Sequence, residues 1–237
     1  MAIPKIAHYT WVSKDILHSQ NPMILNGIRN FVDMNPDWRI NIYQDHEVDQ
    51  YLRENLSSHD YKLIAERPFV ERSDLWRLFK MRNEGGIYLD LDRFYNIPMN
   101  QIIDESVICY LPTIGDFDFS HDIMISAPDN ELFQVVIDLN LQRRAAGSTN
   151  IFYLGPQTYM NGITLWLTGR MIEPDPGSLV FNQLREQIVS LTGFRTYKED
   201  NPDYTLVYQY DSKTYQQGNN QSKQDFYNLY SVPHWLS

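Results

Sequence analysis

The stretch R-S-D-L-W-R-L-F-K-M-R-N-E-G-G-I-Y-L-D-L-D, residues 72–92, decides the fold. Within it, Leu75, Leu78 and Phe79 follow the i, i+3, i+4 spacing of an apolar helical face, so the first half is predicted to be a helix. The glycine pair 85–86 ends that helix, because glycine adopts left-handed turns that other residues resist. The residues after the pair alternate between apolar and polar side chains, which predicts a strand.

The predicted strand, residues 87–92, carries two carboxylates. Its apolar side chains point one way, and Tyr88, Asp90 and Asp92 point the other. The two aspartates would therefore end the strand on one face, with a Cα separation of about 7 Å at ~3.3–3.4 Å per residue. Like charges held this close on a buried strand repel each other and lose hydration, a conflict that Mg²⁺ or Mn²⁺ removes. The alternative is a solvated strand end with two exposed acids.

Asp74 and Arg77 are three residues apart, so they share a different face of the predicted helix. One interpretation of that spacing is an ordinary i,i+3 pair on the helix surface. A polar face turned toward the same crevice as Asp90 and Asp92 is the functional one.

These segments resemble a known family. S-D-L-W-R at residues 73–77 and G-G-I-Y-L-D-L-D at residues 85–92 are similar to the DXD-containing sugar transferases of the GT-A fold, in particular the capsular-polysaccharide group of glycosyltransferase family 32. The glucosylating domains of the large clostridial toxins share that core. I-P-K-I-A-H-Y-T-W-V at residues 3–12 and L-G-P at residues 154–156 also fit the resemblance.

The resemblance implies a nucleotide-sugar site with a divalent cation, Mn²⁺ or Mg²⁺. Trp11 would stack on the nucleotide base, and a core tryptophan is the alternative. Asp74 and Arg77 would hydrogen-bond the donor sugar, while Asp92 and Asp90 would bind the cation. The residues implied around the nucleotide are Thr10, Trp11, Val12, Ser73, Tyr88, Leu89 and Asp90.

The resemblance also implies catalytic and lid residues. The catalytic set is Asp90, Asp92 and Asp122, the last beside the donor sugar. Gly155-Pro156 matches an element that begins a helix near the active site. The C-terminal S-V-P-H-W-L-S loosely matches an element that folds over the donor phosphates, and an ordinary surface tail is the alternative. The residues implied there are His234, Trp235 and Ser237, with His234 also a metal ligand.

Four polar residues between 116 and 122 form an acidic patch that carries one imidazole. A second metal site is one interpretation of this patch. Its spacing matches no standard calcium loop, which favours a solvated turn. The residues are Asp116, Asp118, His121 and Asp122.

Strands and helices alternate along the chain, which predicts an α/β fold. Together with the resemblance, this predicts one GT-A domain over residues 1–237, with a Rossmann-like, mixed, mainly parallel sheet flanked by helices. The nucleotide-sugar core would span about 1–125, and acceptor-side and lid elements would span about 126–237. The predicted strands further include 3–12, 38–44, 107–111 and 204–210, and the predicted helices include 22–32, one capped by Asp45, 130–144 and 181–191.

Composition and charge restrict the partners. The chain has 237 residues, 43% of them hydrophobic, which is enough for a sizeable core. Thirty acidic against twenty basic residues give a net charge of −10, which disfavours nucleic acid or an anionic membrane as the main partner. Cys109 is the single cysteine and is predicted to be a core thiol. Because no signal peptide or membrane span is visible, the chain is predicted to be soluble and cytoplasmic, or an excised catalytic domain.

The sequence therefore predicts a metal-dependent hexosyltransferase. Its donor would be a nucleoside diphosphate sugar, UDP-linked in preference to GDP-linked, and its acceptor a glycan or another hydroxyl, with retention as the resemblance implies. One alternative is a nucleotide- or glycan-binding module of the same fold without turnover. Another is a nucleotidyltransferase, which expects a Gly-rich, lysine-bearing loop where residues 11–14 read W-V-S-K.

Overall fold

The computed structural model describes residues 2–21, 24–95, 97–114, 118–171, 179–197 and 207–209. Its strands are β1 (Ile6–Thr10), β2 (Arg39–Tyr43), β3 (Gly86–Leu89), β4 (Arg93–Tyr95), β5 (Cys109–Tyr110), β6 (Thr113–Ile114), β7 (Asp118–Phe119), β8 (Ile123–Ser126), β9 (Phe194–Arg195) and β10 (Val207–Gln209). Six of them form one sheet in the order β2-β1-β3-β8-β5-β9. Two small antiparallel pairs, β4 with β10 and β6 with β7, lie outside it.

The sheet is mixed and mainly parallel. Strand β1 runs parallel to both β2 and β3, and β9 runs parallel to β5. Strand β8 is the exception, because it runs antiparallel between β3 and β5. The predicted fold class is confirmed.

Helices pack on both faces of the sheet. In chain order the α-helices are α1 (Asn30–Met34), α2 (Asp45–Asn55), α3 (Ser58–Lys62), α4 (Phe69–Asn83), α5 (Glu131–Ala145), α6 (Ile151–Leu154), α7 (Pro156–Thr168) and α8 (Leu179–Ser190). A π-helical turn, Leu25–Arg29, leads into α1, and short 3₁₀ turns cover Lys14–His18 and Met99–Gln101. Helix α1 covers one core layer, and α2, α4, α5, α7 and α8 cover the other.

The central strand β3 divides the two core layers. Ile87 and Leu89 pack into the layer beneath α1, whereas Tyr88 packs into the layer beneath α4 and α5. This alternation was predicted from the sequence. The predicted strand end was wrong, because β3 stops at Leu89, and Leu91 and Asp92 lie in a tight turn. The Arg93 amide closes that turn by donating to the Asp90 carbonyl at 3.0 Å, so the two aspartates do not share one strand face.

Helix α4 is buried more completely than its apolar spacing predicts. The predicted stripe is buried, but so are its polar neighbours Ser73, Asp74, Arg77 and Lys80. The helix lies between the sheet and helices α2 and α5. Its polar side chains must therefore be satisfied by protein groups or by a ligand rather than by bulk water.

Several element ends differ from the predicted ones. Helix α2 begins at Asp45, so its N-cap is Gln44, whose amide donates to the Glu47 carboxylate at 2.8 Å. Val32, predicted on a buried helix face, is 40% exposed. Residues 22–23 and most of the predicted strand 204–210 lie outside the described residues, although β10 confirms the middle of that strand.

Cys109 is buried on β5, and burial raises the pKa of its thiol to about 12. This confirms the predicted core thiol. Within the described part of the chain, no helix is both long enough and apolar enough to cross a bilayer.

The glycine pair joins α4 to β3 in the way the sequence predicts. Gly85 and Gly86 both have positive φ, at 64° and 95°. A Cβ on Gly85 would lie 2.7 Å from the Ser126 carbonyl oxygen, and one on Gly86 would overlap the carbonyl oxygen of Ile6. The pair therefore permits both the turn and the close approach of β3 to β1.

We expect Gly86→Ala to destabilise the fold more than Gly147→Ala. Gly147 also has positive φ, at 85°, but a Cβ there would meet nothing within 4 Å. Backbone strain alone should lower the free energy of unfolding by about 1–3 kcal/mol in either variant. The overlap with Ile6 should add a further loss in Gly86→Ala only, and equal urea midpoints for the two variants would contradict this account.

Candidate active site

Sheet pairing brings two distant aspartates together. Asp90 follows β3 and Asp122 precedes β8, and these strands run antiparallel with Leu89 opposite Ile123. The Asp90 amide donates to the Asp122 carbonyl at 2.9 Å. The turn after β3 therefore lies directly beside the start of β8.

Arg77 connects helix α4 to this turn. One guanidinium nitrogen lies 2.9 Å from an Asp74 oxygen. The other lies 3.3 Å from Asp90 Oδ1 and donates to the His121 carbonyl at 3.0 Å. The guanidinium also lies 4.4 Å from the centre of the Tyr88 ring. With its side chain only 6% exposed, Arg77 is a buried cation shared by two carboxylates, which excludes the alternative of an ordinary surface pair.

All the described side-chain contacts of Asp90 are made through one carboxylate oxygen, Oδ1. The Tyr88 hydroxyl donates to Oδ1 at 2.5 Å, where Arg77 also binds. Burial raises the pKa of Asp90 to about 6; Arg77 opposes the shift, and the carboxylates of Asp122 and Asp92 add to it. Its side chain is nevertheless 35% exposed. Among the described residues Oδ2 has no partner, so that oxygen can accept a ligand.

Asp122 is neutralised by a different arginine. Arg93, the residue after the D-x-D, contacts its Oδ2 at 2.5 Å, and the Ser120 hydroxyl donates to Oδ1. Burial alone would raise the pKa of Asp122, but Arg93 and Ser120 more than offset it and the pKa lies below its usual value. His121 and Asp122 are largely buried, so the predicted solvated turn is wrong for this part of the patch.

Asp74 lies in the deepest part of the cluster. Burial raises the pKa of its carboxyl group despite the opposing charges of Arg77 and Arg144. His121 Nδ1 lies 3.9 Å from its Oδ1, and burial with the nearby Arg77 charge holds the His121 pKa well below its usual value. On the other side, a Cβ on Gly155 would lie 2.6 Å from Asp74 Oδ2. The predicted G-P element does begin a helix, α7, and it does so against this carboxylate.

Most of the predicted nucleotide residues are buried. Trp11 is 7% exposed and packs in the core layer beneath α1. The Ser73 hydroxyl donates to the Val70 carbonyl at 2.9 Å, and Tyr88 and Leu89 are buried. Thr10 and Val12 are partly exposed at the end of β1. Roles for these residues at a nucleotide remain predictions.

Four predicted residues lie outside the described part of the chain. They are the acidic-patch residue Asp116 and the C-terminal residues His234, Trp235 and Ser237. The lid and the third metal ligand therefore remain predictions.

The acidic cluster suits a hard divalent cation. Asp74, Asp90, Asp92 and Asp122 lie near the guanidiniums of Arg77 and Arg93, and Arg144 adds a further positive charge near Asp74. No group of three or more His, Cys, Asp or Glu side chains in the described residues could hold a metal ion. Carboxylate oxygens at Asp90 and Asp92 fit Mg²⁺ or Mn²⁺, which commonly take only one or two protein carboxylates and complete their shells with phosphate and water.

The family comparison covers the part of this cluster that lies on α4 and on the turn after β3. Residues 23–108 match the glycosyltransferase sugar-binding region containing the DXD motif. This segment is similar to the sugar-binding region of that family. The resemblance predicted from S-D-L-W-R and G-G-I-Y-L-D-L-D is thereby confirmed, and the matched segment contains the D-x-D sequence of residues 90–92.

Curated relatives of the DXD segment are named as mannosyl-transferring enzymes. The mannosyl phosphorylinositol ceramide synthase CSH1 of Saccharomyces cerevisiae is 28% identical over 138 residues, covering 57% of this chain and 34% of that protein. Inositol phosphoceramide mannosyltransferase 1 of Schizosaccharomyces pombe is 24% identical over 145 residues, covering 58% and 43%. The chain thus spans less than half the length of these relatives. Among solved structures, PaToxG glycosyltransferase superposes with a TM-score of 0.52 at 17% identity, covering 71% of this chain and 70% of that one, which shows a shared fold.

Sequence reasoning missed three parts of the cluster. Arg93 directly follows the D-x-D, and an arginine at that position could have been recognised as a neutralising group. His121 was predicted only as part of an acidic patch, either a solvated turn or a second metal site, and Tyr88 was assigned to the nucleotide rather than to Asp90. The antiparallel pairing of β8 with β3 assembles these contacts, and no local pattern in the sequence indicates that pairing.

We expect Arg77→Met to lower the free energy of unfolding by about 3–5 kcal/mol, because it keeps the packed side-chain volume but leaves buried carboxylates without their cation. Lys5→Ala is the control, since it breaks a surface pair with Asp37 in which both side chains are 59% exposed. That change should leave the urea midpoint almost unmoved. Equal effects of the two substitutions would show that Arg77 is not the partner on which Asp74 and Asp90 depend.

Proposed function

We propose that this protein is a glycosyltransferase that moves a sugar from a nucleoside diphosphate sugar to a hydroxyl group of a glycan or lipid-linked acceptor with the help of a divalent cation. The observation that carries the proposal is the D-x-D turn beside a buried arginine–carboxylate cluster, within a segment that matches the DXD family. Such a turn lies at the carboxyl end of the parallel strand β3. Ligands of open α/β sheets bind beyond strand ends of this kind.

Asp90 and Asp92 would hold the cation. The carboxylates of Asp122 and Asp92 add to the raised pKa of Asp90, and a divalent cation held by Asp90 and Asp92 would relieve that repulsion, which supports this role. When bound, the cation would bridge the donor diphosphate and neutralise the charge that develops as the sugar leaves. Asp90 has Oδ2 available for this purpose, since Oδ1 is already occupied by Tyr88 and Arg77.

Asp74 and Arg77 would contact the donor sugar. Their burial supports recognition in a closed crevice, where a hydroxyl that satisfies a buried polar group contributes strongly to specificity. Arg77 Nε is buried and has no hydrogen-bond partner among the described residues, so it retains one N–H for a ligand. Asp122 would lie beside the sugar, oriented by Arg93.

The remaining roles are carried over from the resemblance. Trp11 would contact the base, although its burial limits the contact to the part of the ring that faces the crevice. His234, Trp235 and Ser237 would close over the phosphates, with His234 as a further metal ligand. Transfer would proceed with retention at the anomeric carbon.

The relatives guide the choice of sugar and acceptor. Their names specify mannosyl transfer to inositol phosphoceramide. Mannose is therefore the first candidate sugar that the relatives suggest. The UDP-linked hexoses, which the resemblance favours, are tested beside it. A phosphoinositol-bearing lipid is the first acceptor to test.

The proposal is tested by donor hydrolysis and transfer with a panel of UDP- and GDP-linked hexoses, GDP-mannose included, in Mn²⁺ and in excess chelator. Wild-type protein should turn over one donor only when the cation is present. Asp92→Asn should abolish that turnover while keeping the fold, because the change is nearly isosteric but removes a charged ligand. Asp90→Asn should act similarly.

Asp138→Asn is a matched control, since Asp138 is an exposed acid on α5. It should retain full turnover. Undiminished activity in chelator or in Asp92→Asn would refute the cation's role. Nucleotide binding without turnover of any donor would instead identify a binding module.

A further inference from the structure

Helix α5 carries three polar residues that its apolar packing does not require. Asn140, Arg143 and Arg144 are each 5% exposed or less. Their i, i+3, i+4 spacing places them on one face of the helix. Buried arginines are costly unless their donors are satisfied, so the contacts of this face indicate what it holds in place.

Two of the three residues hold the turn that precedes α7. Asn140 donates to the Leu154 carbonyl at 2.7 Å. Arg143 donates to the Tyr153 carbonyl at 3.0 Å and to Asn161 Oδ1 at 2.6 Å, and its guanidinium lies 3.9 Å from the centre of the Tyr153 ring. The backbone immediately before Gly155 is therefore fixed from the α5 side.

The third residue holds helix α4. Arg144 forms an ion pair with Glu71 at 2.7 Å, and its Nε donates to Asn140 Oδ1 at 2.7 Å. Glu71 lies three residues before Asp74, about one helical turn away. The same turn of α5 thus holds both the helix that carries Asp74 and the loop that carries Gly155.

Gly155 and Asp74 meet with no room for a side chain between them. A Cβ at position 155 would lie 2.6 Å from Asp74 Oδ2 and 3.2 Å from the Ile151 carbonyl oxygen. The other Asp74 oxygen is held by Arg77. The position of the carboxylate therefore depends on where the Gly155 backbone is held.

We propose that Arg143, Asn140 and Arg144 are positioning residues. They hold the Gly155 backbone against the Asp74 carboxylate and so fix this carboxylate, which is assigned to the donor sugar. We call these three residues the α5 clamp. The inference rests on the proposed function, in which Asp74 contacts the sugar. It adds that the geometry of this contact is determined from a helix that does not itself touch the donor.

The clamp predicts a specific kinetic signature. Displacing Gly155 should disturb Asp74, while the turn that carries Asp90 and Asp92 remains in place because its backbone is held by the Asp90 amide on the Asp122 carbonyl and the Arg93 amide on the Asp90 carbonyl. Transition-state contacts to the sugar should weaken, but the affinity for the nucleoside diphosphate with Mn²⁺ should not change. A misplacement of about 1 Å can lower a rate on the order of 100-fold.

The experiment measures donor hydrolysis and the Kd for UDP and GDP in Mn²⁺ for Gly155→Ala, Arg143→Met and Arg143→Lys. Gly155→Ala and Arg143→Met should each lower kcat on the order of 100-fold at unchanged nucleotide Kd. Arg143→Lys keeps a donor for one of the carbonyl or amide oxygens and should recover part of the rate. Gly169→Ala is the matched control at the other end of α7, where φ is 68° and a Cβ would meet nothing within 4 Å, and it should keep the wild-type rate.

Gly155→Ala probes the contact directly, so the test does not depend on whether Arg143→Met folds. The clamp would be overturned if a folded Gly155→Ala kept the wild-type rate. It would also be overturned if Gly155→Ala and Arg143→Met lost nucleotide affinity in parallel with the rate. Wild-type turnover with unaffected variants would reject the clamp alone. Absence of turnover in the wild-type protein would reject the proposed function and the clamp together.

Discussion

Burial of the Arg77 guanidinium between Asp74 and Asp90 is the constraint on which the rest of the site depends. A cation removed from water needs its charge and its donors satisfied by protein groups. Here the two carboxylates come from helix α4 and from the turn after β3, and the His121 carbonyl comes from the segment before β8. The register of three elements is therefore coupled to one side chain.

The burial of Arg77 between the two carboxylates accounts for several other features of the structure. The glycine pair between α4 and β3 must turn sharply, because Arg77 and Asp90 have to meet across it. Helix α4 is buried on all sides because its polar residues face partners rather than solvent. On the far side of Asp74, the α5 clamp completes the arrangement by fixing Gly155, so that both oxygens of this carboxylate are located by the protein.

The sequence was informative where the structure is determined locally. The helix, the glycine break and the alternation of Ile87 and Leu89 against Tyr88 all follow from short-range patterns, and all three are confirmed. The end of β3 was predicted too late, because alternation continues through Leu91 and Asp92 although a turn interrupts the backbone. The neighbours of Asp90 could not be predicted, since they depend on β8 running antiparallel to β3, and the burial of Asp74 depends on helices that follow it by more than fifty residues. Asn140, Arg143 and Arg144 did leave a signal, in the form of three polar residues at helical spacing on a helix with an apolar stripe.

In the proposed function the D-x-D turn, and not another acidic group of the cluster, binds the cation. The most direct measurement is a Mn²⁺ titration followed by electron paramagnetic resonance, in the presence of UDP or GDP, for wild-type protein, Asp90→Asn, Asp92→Asn and Asp118→Asn. Asp118 belongs to the neighbouring acidic patch, and burial raises its pKa to about 6. We expect one bound Mn²⁺ per chain in the wild type and in Asp118→Asn. Binding should be lost in Asp90→Asn and in Asp92→Asn. Wild-type binding in Asp90→Asn and Asp92→Asn, or loss of binding in Asp118→Asn alone, would contradict it.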